Sequence, residues 1–433
     1  MKNNFTKVIQ KNQNLTSFGG INFAHQEFEN CGLKDLIDNE LGNRTKYAGY
    51  QYGELFQNWT DLKLAGGEVA EDIQEHFRQT LTQIPDNKVA SADTLLRFLK
   101  DLSVENEIVT SSAEKTYNFN INDKLNKLNI KVLLKLGLLK TNASYTLDYD
   151  NQILKNKKWD AKYTYKHICG YFPGIASIAD HPIYIENRDG NANVKTDQHE
   201  TLRRLFVILA LYDIKIKKFR ADAGSYSKEI IDVVSKNCKK FFIRANKCAD
   251  LDLRIRNITN WKAVEINYKK YEVASIQFTQ FFEDRNYRLV VMREPNPDKY
   301  AQPDLFTGDN MIYRCIITND WEMSEKEVIE FYNQRGKAEK IFDVMNNDFG
   351  WKRLPCSNMQ YNTVYLILTA IIKNFYTYFI NKIAGTFKNI FPTSRLKSFI
   401  FRFICVAGKW IKKGRQRFLI LYTDKHYNKL GII

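Results

Sequence analysis

The sequence lacks the marks of a disulfide-stabilised, membrane-spanning or nucleotide-driven protein. Its seven cysteines are odd in number and contain no Cys-x-x-Cys pair, which argues against a disulfide framework and a structural zinc site. The most apolar run, "VYLILTAII" at 364–372, is far shorter than the roughly 20 apolar residues that a bilayer-spanning helix needs. There is no glycine-rich phosphate loop, so an ATP-dependent mechanism is not expected.

The first ten residues, "MKNNFTKVIQ", are polar and lack the apolar core of a signal peptide. Unpaired cysteines fit a reducing compartment. We therefore expect a soluble protein of the cytoplasm with no membrane partner.

Positive charge is what the sequence does have. It carries 65 Lys and Arg against 49 Asp and Glu, a formal net charge of +16. Such an excess in a globular chain indicates a polyanionic partner, and nucleic acid is the first candidate. An anionic membrane surface is the second, but no amphipathic basic terminal helix supports it.

Residues 1–140 have mainly helical apolar spacing, as in "YGELFQNWTDLKLA" and "SADTLLRFLKDLS". Short helices separated by glycines and proline suit a compact DNA-binding module. A helical domain with another duty is an equally good interpretation of this pattern.

From about residue 141 the pattern changes to alternating, β-rich segments. We predict three strands ("ASYTLDYD", "KYTYKHICGYF", "IASIADHPIYIE"), then helix, strand, helix and strand. This order is that of an α/β, ribonuclease-H-like core with an antiparallel edge and a parallel remainder. We place the core at 141–246 and 319–375, interrupted by a β-rich insertion at 247–318.

The helix after the insertion, "FYNQRGKAEKIFDVM", places Tyr332, Arg335 and Glu339 at helical spacing on one stripe. Ser324 and Glu327 form a capping-box pattern at its head. The alternative is an ordinary solvated face with i,i+4 pairs.

Carboxylates fall where this topology brings strand ends together. Asp148 and Asp150 share one face of the first strand, and Asp222 ends the fourth. With Glu339 they form a candidate site for Mg²⁺ or Mn²⁺, because clustered carboxylates repel one another unless a cation lies between them. Taken singly, each strand-end aspartate is more often a turn or cap residue.

The last region, 376–433, is strongly basic and aromatic, and we predict a helical extension that contacts nucleic acid. A merely solubilising extension is the alternative. In the insertion, Trp261 could stack on a flipped base, although core packing is the commoner role of such a residue. The candidate phosphate contacts of the last region are Lys409, Lys412, Lys413, Arg415 and Arg417.

The blocks "TLDYD", "FRADAG" and "YNQRGKAEKIFD" resemble the three signature blocks of bacterial insertion-sequence transposases of the DDE type. The most similar group has a Tyr-x2-Arg-x3-Glu-x6-Lys helix and a β insertion. "TSFGG", "AGGEVAEDI", "SADTLLRFL" and "AGKWIKKGRQ" also look like this group, so the resemblance covers most of the chain.

The resemblance implies a cut-and-paste enzyme that binds its element's terminal inverted repeats as a homodimer on double-stranded DNA, cleaves them and joins the 3′-OH ends to target DNA. Asp150, Asp222 and Glu339 would be the metal-binding triad, with Asp148 the competing first ligand. Tyr332 and Arg335 would contact a phosphate.

This sequence departs from the family pattern at two positions, since Asn346 replaces the signature lysine and Gln152 replaces a threonine. Lys340 or Lys352 is the candidate substitute for the lysine. A metal-dependent nuclease on the same core, or an inactive DNA-binding protein, remains the alternative function.

Overall fold

The computed structural model describes residues 8–11, 13–45, 48–246, 249–282, 284–298 and 309–432. The α-helices of these residues are α1 (Ile21–Asn30), α2 (Leu33–Leu41), α3 (Tyr52–Ala65), α4 (Arg78–Gln83), α5 (Ala92–Asp101), α6 (Asp123–Lys135), α7 (Gln198–Leu211), α8 (Lys228–Asn237), α9 (Ala249–Arg256), α10 (Glu325–Asn333), α11 (Lys337–Asn347), α12 (Met359–Ala384) and α13 (Leu396–Phe399). The strands are β1 (Glu107–Thr110), β2 (Thr116–Asn120), β3 (Ser144–Asn151), β4 (Leu154–Lys155), β5 (Lys162–Tyr163), β6 (Cys169–Tyr171), β7 (Gly174–Ile178), β8 (His181–Arg188), β9 (Lys215–Ala221), β10 (Cys238–Ala245), β11 (Lys262–Ile266), β12 (Lys269–Phe278), β13 (Tyr287–Pro295), β14 (Met311–Thr318), β15 (Ala407–Lys413) and β16 (Gln416–Tyr422).

The chain divides into two compact units. The terminal unit comprises residues 1–102, 348–355 and 371–433, and the sheet unit comprises 103–347 and 356–370. The region predicted as helical, 1–140, therefore runs past the division, because β1, β2 and α6 belong to the sheet unit.

The terminal unit is mainly helical, with α1 to α5 and α13 around a core that includes Trp59 and Phe98. The predicted start of α5 is confirmed, because Ser91 is its N-cap and the Ser91 hydroxyl accepts a hydrogen bond from the Thr94 backbone N–H at 3.2 Å.

The predicted helical C-terminal extension is wrong for residues 407–422, which form the antiparallel hairpin β15–β16. Gly414, with φ of +61°, supplies the left-handed backbone that its tight turn requires. The physical reason is that aromatic and β-branched residues, as in Trp410-Ile411, favour strands on either side of the glycine turn.

The sheet unit is built on one large mixed sheet of 11 strands, in the order β1-β2-β8-β7-β3-β9-β10-β14-β13-β12-β11. Strands β9 and β10 run parallel to β3, whereas β7 and β8 form an antiparallel hairpin on its other side. This is the antiparallel edge and parallel remainder that the sequence predicts.

Two strand predictions fail in detail. "KYTYKHICGYF" does not enter the main sheet but contributes β5 and β6 to a separate three-stranded sheet with β4. "IASIADHPIYIE" is not one strand, because Ala179, with φ of +56°, turns the chain between β7 and β8. Alternation alone does not register such a tight turn inside an apolar run.

The β-rich insertion continues the main sheet. Strand β14 pairs antiparallel with β10, and β13, β12 and β11 follow outward. One face of the sheet packs on a core that includes Leu147 and Phe219, together with residues of α6 to α9. On the opposite face Val328 and Ile329 of α10 pack against Phe242. Helix α10 is thereby fixed over the sheet.

Helix α12 is long and apolar enough to cross a membrane by length and composition alone. Within the protein, 89% of that apolar window is buried. A buried core helix has the same composition, because both environments exclude water.

Candidate active site

Two aspartates lie side by side at the carboxyl ends of adjacent parallel strands. Tyr149 of β3 is in register with Ala221 of β9, and Asp150 and Asp222 are the residues that directly follow these two. Tyr149 and Ala221 enter the hydrophobic core. Because side chains alternate along a strand, the two aspartates belong to the opposite, polar face.

The Asp150 carboxylate is held in a half-buried position by a guanidinium. Arg335 Nη1 lies 2.7 Å from Asp150 Oδ2. Burial raises the pKa of Asp150 to about 6; Arg335 opposes this rise, and the negative charge of Asp222 adds to it. Asp150 and Asp222 are thus close enough to repel each other electrostatically.

Asp222 begins a short 3₁₀ turn over Ala223–Ser225. Its Oδ1 accepts a hydrogen bond from the Gly224 backbone N–H at 2.9 Å. A Cβ at Gly224 would lie 2.9 Å from that oxygen and 2.7 Å from Val194 Cγ1. The glycine therefore lets the backbone approach the carboxylate closely.

Asp148 is occupied by a different partner. Arg220 donates to both of its carboxylate oxygens, at 2.6 Å from Nε and 2.7 Å from Nη2, and both residues are buried. Arg220 also donates from Nη1 to the Phe331 carbonyl at 2.9 Å. Asp148 thus ties β3 to β9 and to the end of α10, whereas Asp150 is the first-strand carboxylate that lies next to Asp222.

The predicted single helix carrying Tyr332, Arg335 and Glu339 is wrong. Helix α10 ends at Asn333, a 3₁₀ turn covers Gln334–Gly336, and α11 begins at Lys337. Gly336, a poor helix former, lies at this junction. The capping box at the head of α10 is confirmed, with Ser324 and Glu327 bonding each other's backbone N–H.

The three residues therefore lie in three successive elements, which are α10, the 3₁₀ turn and α11. Tyr332 is half-buried, with the Arg335 guanidinium 6.0 Å from its ring centre, and burial raises its pKa. Glu339 is exposed in the first turn of α11. Throughout the described part of the chain, no three His, Cys, Asp or Glu residues are grouped so that they could hold a metal together.

The two grouped carboxylates nevertheless have the right donor chemistry for a divalent cation. Carboxylate oxygens are the preferred ligands of Mg²⁺. Asp150 already has a cation, the Arg335 guanidinium, against Oδ2. Gln152 Oε1, two residues after Asp150, is buried without a hydrogen-bond partner. Asp150 and Asp222 therefore have donor chemistry that suits a divalent cation, whereas Glu339 is exposed on α11.

A comparison with known protein families decides the identity. A family described as "Transposase DDE domain group 1" matches residues 3–430. The chain belongs to this family. It is accordingly a DNA transposase, of a family of DNA-cleaving and strand-transferring enzymes.

Among solved structures, the transposase is similar to a chain of the "piggyBac transposase synaptic complex with hairpin DNA", at 11% identity and a TM-score of 0.44. The match covers 90% of this chain and 80% of that one. No curated protein sequence matches it.

The other predicted contact residues of the transposase lie on other elements than the two aspartates. Lys340 is exposed on α11. Trp261 is packed against the core, with its Nε1 donating to the Ile258 carbonyl at 3.0 Å and Arg293 over its ring at 3.9 Å. The five candidate phosphate contacts of the last region all fall on the β15–β16 hairpin: Lys409, Lys412, Lys413, Arg415 and Arg417.

Sequence reasoning missed Arg220, the partner of Asp148. A signal for it exists, because Arg220 precedes Asp222 by the same two residues that separate Asp148 from Asp150. On parallel strands in register, that repeated spacing places an arginine opposite one aspartate and an aspartate opposite the other.

Proposed function

We propose that the transposase binds the terminal inverted repeats of its own insertion sequence, cleaves the element ends and joins the 3′-OH ends to target DNA. The observation that carries the proposal is the side-by-side placement of Asp150 and Asp222, with Arg335 against the first. A pair of element ends must be held together, so we further propose that a homodimer acts on double-stranded DNA in the cytoplasm.

A ribonuclease-H-like core is part of the proposal. Its support is the order β8-β7-β3-β9-β10, in which a meander of three antiparallel strands is followed by two strands parallel to its first. The α7 and α8 crossovers connect these strands. In such an order the carboxyl ends of the parallel neighbours β3 and β9 lie at one edge of the sheet, where α/β proteins place their sites.

Asp150, Asp222 and Glu339 would hold Mg²⁺, or Mn²⁺ in its place. Two such ions supply activation of a water or 3′-hydroxyl and stabilisation of the leaving oxygen at phosphorus. Glu339 would be the third ligand. It lies in the first turn of α11, directly after a 3₁₀ turn, and its side chain is exposed to solvent. The proposal takes Asp150 over Asp148 as the first ligand, because Arg220 engages both carboxylate oxygens of Asp148.

Tyr332 and Arg335 would position the DNA. A guanidinium can bind two phosphate oxygens at once, and Arg335 is the cation next to Asp150. The Tyr332 side chain, packed against the cluster that includes Phe242, fixes the end of α10 from which Arg335 follows. Lys340, exposed one turn later, would add a second phosphate contact.

An assay on a labelled element end tests the proposal. The full chain is incubated with Mg²⁺ and a duplex that contains the terminal repeat, and the products are separated by size. Nicking followed by joining to a target plasmid is the expected result. Nicking without joining would indicate the nuclease, and binding alone would indicate an inactive DNA-binding protein; either result overturns the transposase proposal.

A further inference from the structure

A basic flap leaves the main sheet immediately after the candidate site. It comprises residues 152–172, with the short strands β4, β5 and β6. The Gln152 backbone N–H donates to the Pro173 carbonyl at 3.1 Å and closes its base. Because Asp150 lies two residues before Gln152, the flap begins at the strand end that carries the first aspartate.

The exposed surface of the flap is aromatic as well as basic. Trp159 is 88% exposed, Tyr163 71% and Tyr165 66%. Exposed lysines are interspersed with them along the chain, and Lys166 Nζ lies 5.7 Å from the Tyr165 ring centre. The exposed lysines are Lys155, Lys157, Lys162 and Lys166.

The backbone beneath the exposed indole is anchored. The Trp159 N–H donates to the Ser357 carbonyl at 3.0 Å. Asp160, the only acid of the flap, accepts the Tyr171 hydroxyl on Oδ1 and the Met359 backbone N–H on Oδ2 at 2.7 Å. The Asp160 carboxylate is thus occupied by these two hydrogen bonds, while the Trp159 indole remains exposed.

These features suit an unpaired nucleic-acid strand. An exposed indole keeps apolar ring surface in contact with water, which is unfavourable, and stacking on a flat partner removes that contact. Every nucleobase offers such a partner in its π-face. Exposed lysines on the same segment supply positive charge for the phosphates that flank a stacked base. Bases inside a duplex are already stacked on one another, so the aromatic surface selects DNA that is locally unpaired.

We propose that residues 152–172 bind the unpaired strand of an element end, with Trp159 stacked on an exposed base and the four lysines on flanking phosphates. The inference rests on the proposed function, because it takes the cleaved end as the source of the unpaired strand. It assigns to Trp159 the base contact that the sequence suggests for Trp261, whose ring is instead covered by Arg293.

Fluorescence of 2-aminopurine tests the stacking. The full chain is titrated into a terminal-repeat duplex with an unpaired 2-aminopurine at the cleavage site, and into the same duplex fully paired. Trp159→Ala should weaken binding of the unpaired DNA at least about five-fold and abolish the quenching, because the variant has no indole to stack on the base. Binding of the paired duplex should not change.

Tyr268→Ala is the matched control, since Tyr268 is 98% exposed in the same unit and precedes two lysines. It should bind both DNAs as the wild type does. Equal reductions in both variants, or unchanged quenching in Trp159→Ala, would overturn the inference. A change of oligomeric state in Trp159→Ala with unchanged DNA affinity would assign the flap to a second copy of the chain and overturn it too.

The two proposals fail in different ways. If the wild type does not bind or cleave the paired terminal repeat, the proposed function is wrong. If the wild type cleaves the repeat normally but the flap variants bind the unpaired DNA as the wild type does, the flap inference alone is wrong. Changing all four exposed lysines to Gln should reduce the slope of log affinity against log salt by about 0.7 for each phosphate that the lysines no longer neutralise.

Discussion

Asp148 and Arg220 form a buried, bidentate ion pair between β3 and β9, and the next positions on the same polar face are the two acids Asp150 and Asp222. The opposite charges of Asp148 and Arg220 cancel, whereas the two negative charges of Asp150 and Asp222 add. Negative charge is therefore concentrated at the ends of the two strands, beside Arg335. A site for a cation and a structural ion pair are separated by only two residues.

Removing one partner of the buried pair should destabilise the sheet unit. Asp148→Ala leaves the Arg220 guanidinium buried without its carboxylate, and such changes cost about 3–5 kcal/mol. Urea unfolding of the wild type and the variant measures the difference. Lys326→Ala, which removes an exposed i,i+4 pair with Glu330, is the control and should cost less than about 1 kcal/mol. A stable Asp148→Ala protein would contradict a structural role for the pair.

The proposed metal ligands should be separable from DNA binding. Asp222→Ala and Glu339→Ala should each lower cleavage by about a thousand-fold or more, because a bound metal contributes several kcal/mol to the transition state. Binding of the terminal repeat, measured by anisotropy, should be largely kept. Glu330→Ala, an exposed acid on α10, should cleave normally. Retained cleavage in the Glu339 variant would leave this residue outside the site.

The succession of strands, helix, strand, helix and strand in the core was predictable from the sequence, but the bounds of its second and third strands were not, because the tight turn at Ala179 lies inside one apolar run. The pairing of β14 with β10 was not predictable, since alternation reports which face a residue has and not which strand lies beside it. The β15–β16 hairpin was missed for a related reason, because basic and aromatic residues fit both periods.

For the site, spacing was enough to bring Asp150 and Asp222 together, because both end adjacent strands. Spacing was not enough for Glu339. The 3₁₀ turn at Gln334–Gly336 changes the angle between successive residues, so that a stripe drawn for a continuous α-helix no longer holds across it. The exposed aromatics of the flap depend on tertiary packing, which the sequence does not show.

The raised pKa of Asp150 should make stability depend on pH. The pKa rises from 3.8 to about 6 because the folded state buries the carboxylate, so between these values the folded state binds more protons than the unfolded state. Stability from this group is present below about pH 4 and is lost as pH rises through about 6. Asp150→Asn should therefore gain up to about 3 kcal/mol relative to the wild type between pH 4 and 7. Urea unfolding in EDTA measures this, and a constant difference across that range would contradict it.

The tip of the β15–β16 hairpin should contribute to DNA binding through charge alone. Lys412, Lys413 and Arg415 are all exposed there. Arg417 is left out of the change because its Nη1 forms an ion pair with Asp86 Oδ2 at 3.4 Å. Changing the first three to Gln should weaken binding to any duplex and reduce the slope of log affinity against log salt by about 0.9 for each phosphate that is no longer neutralised. Lys88→Gln, which removes a cation already paired with Glu54 at 3.0 Å, is the control and should leave the slope unchanged. Anisotropy titrations over a range of salt, on repeat and unrelated duplexes, give both slopes; a weakening confined to the repeat would mean that the hairpin reads bases.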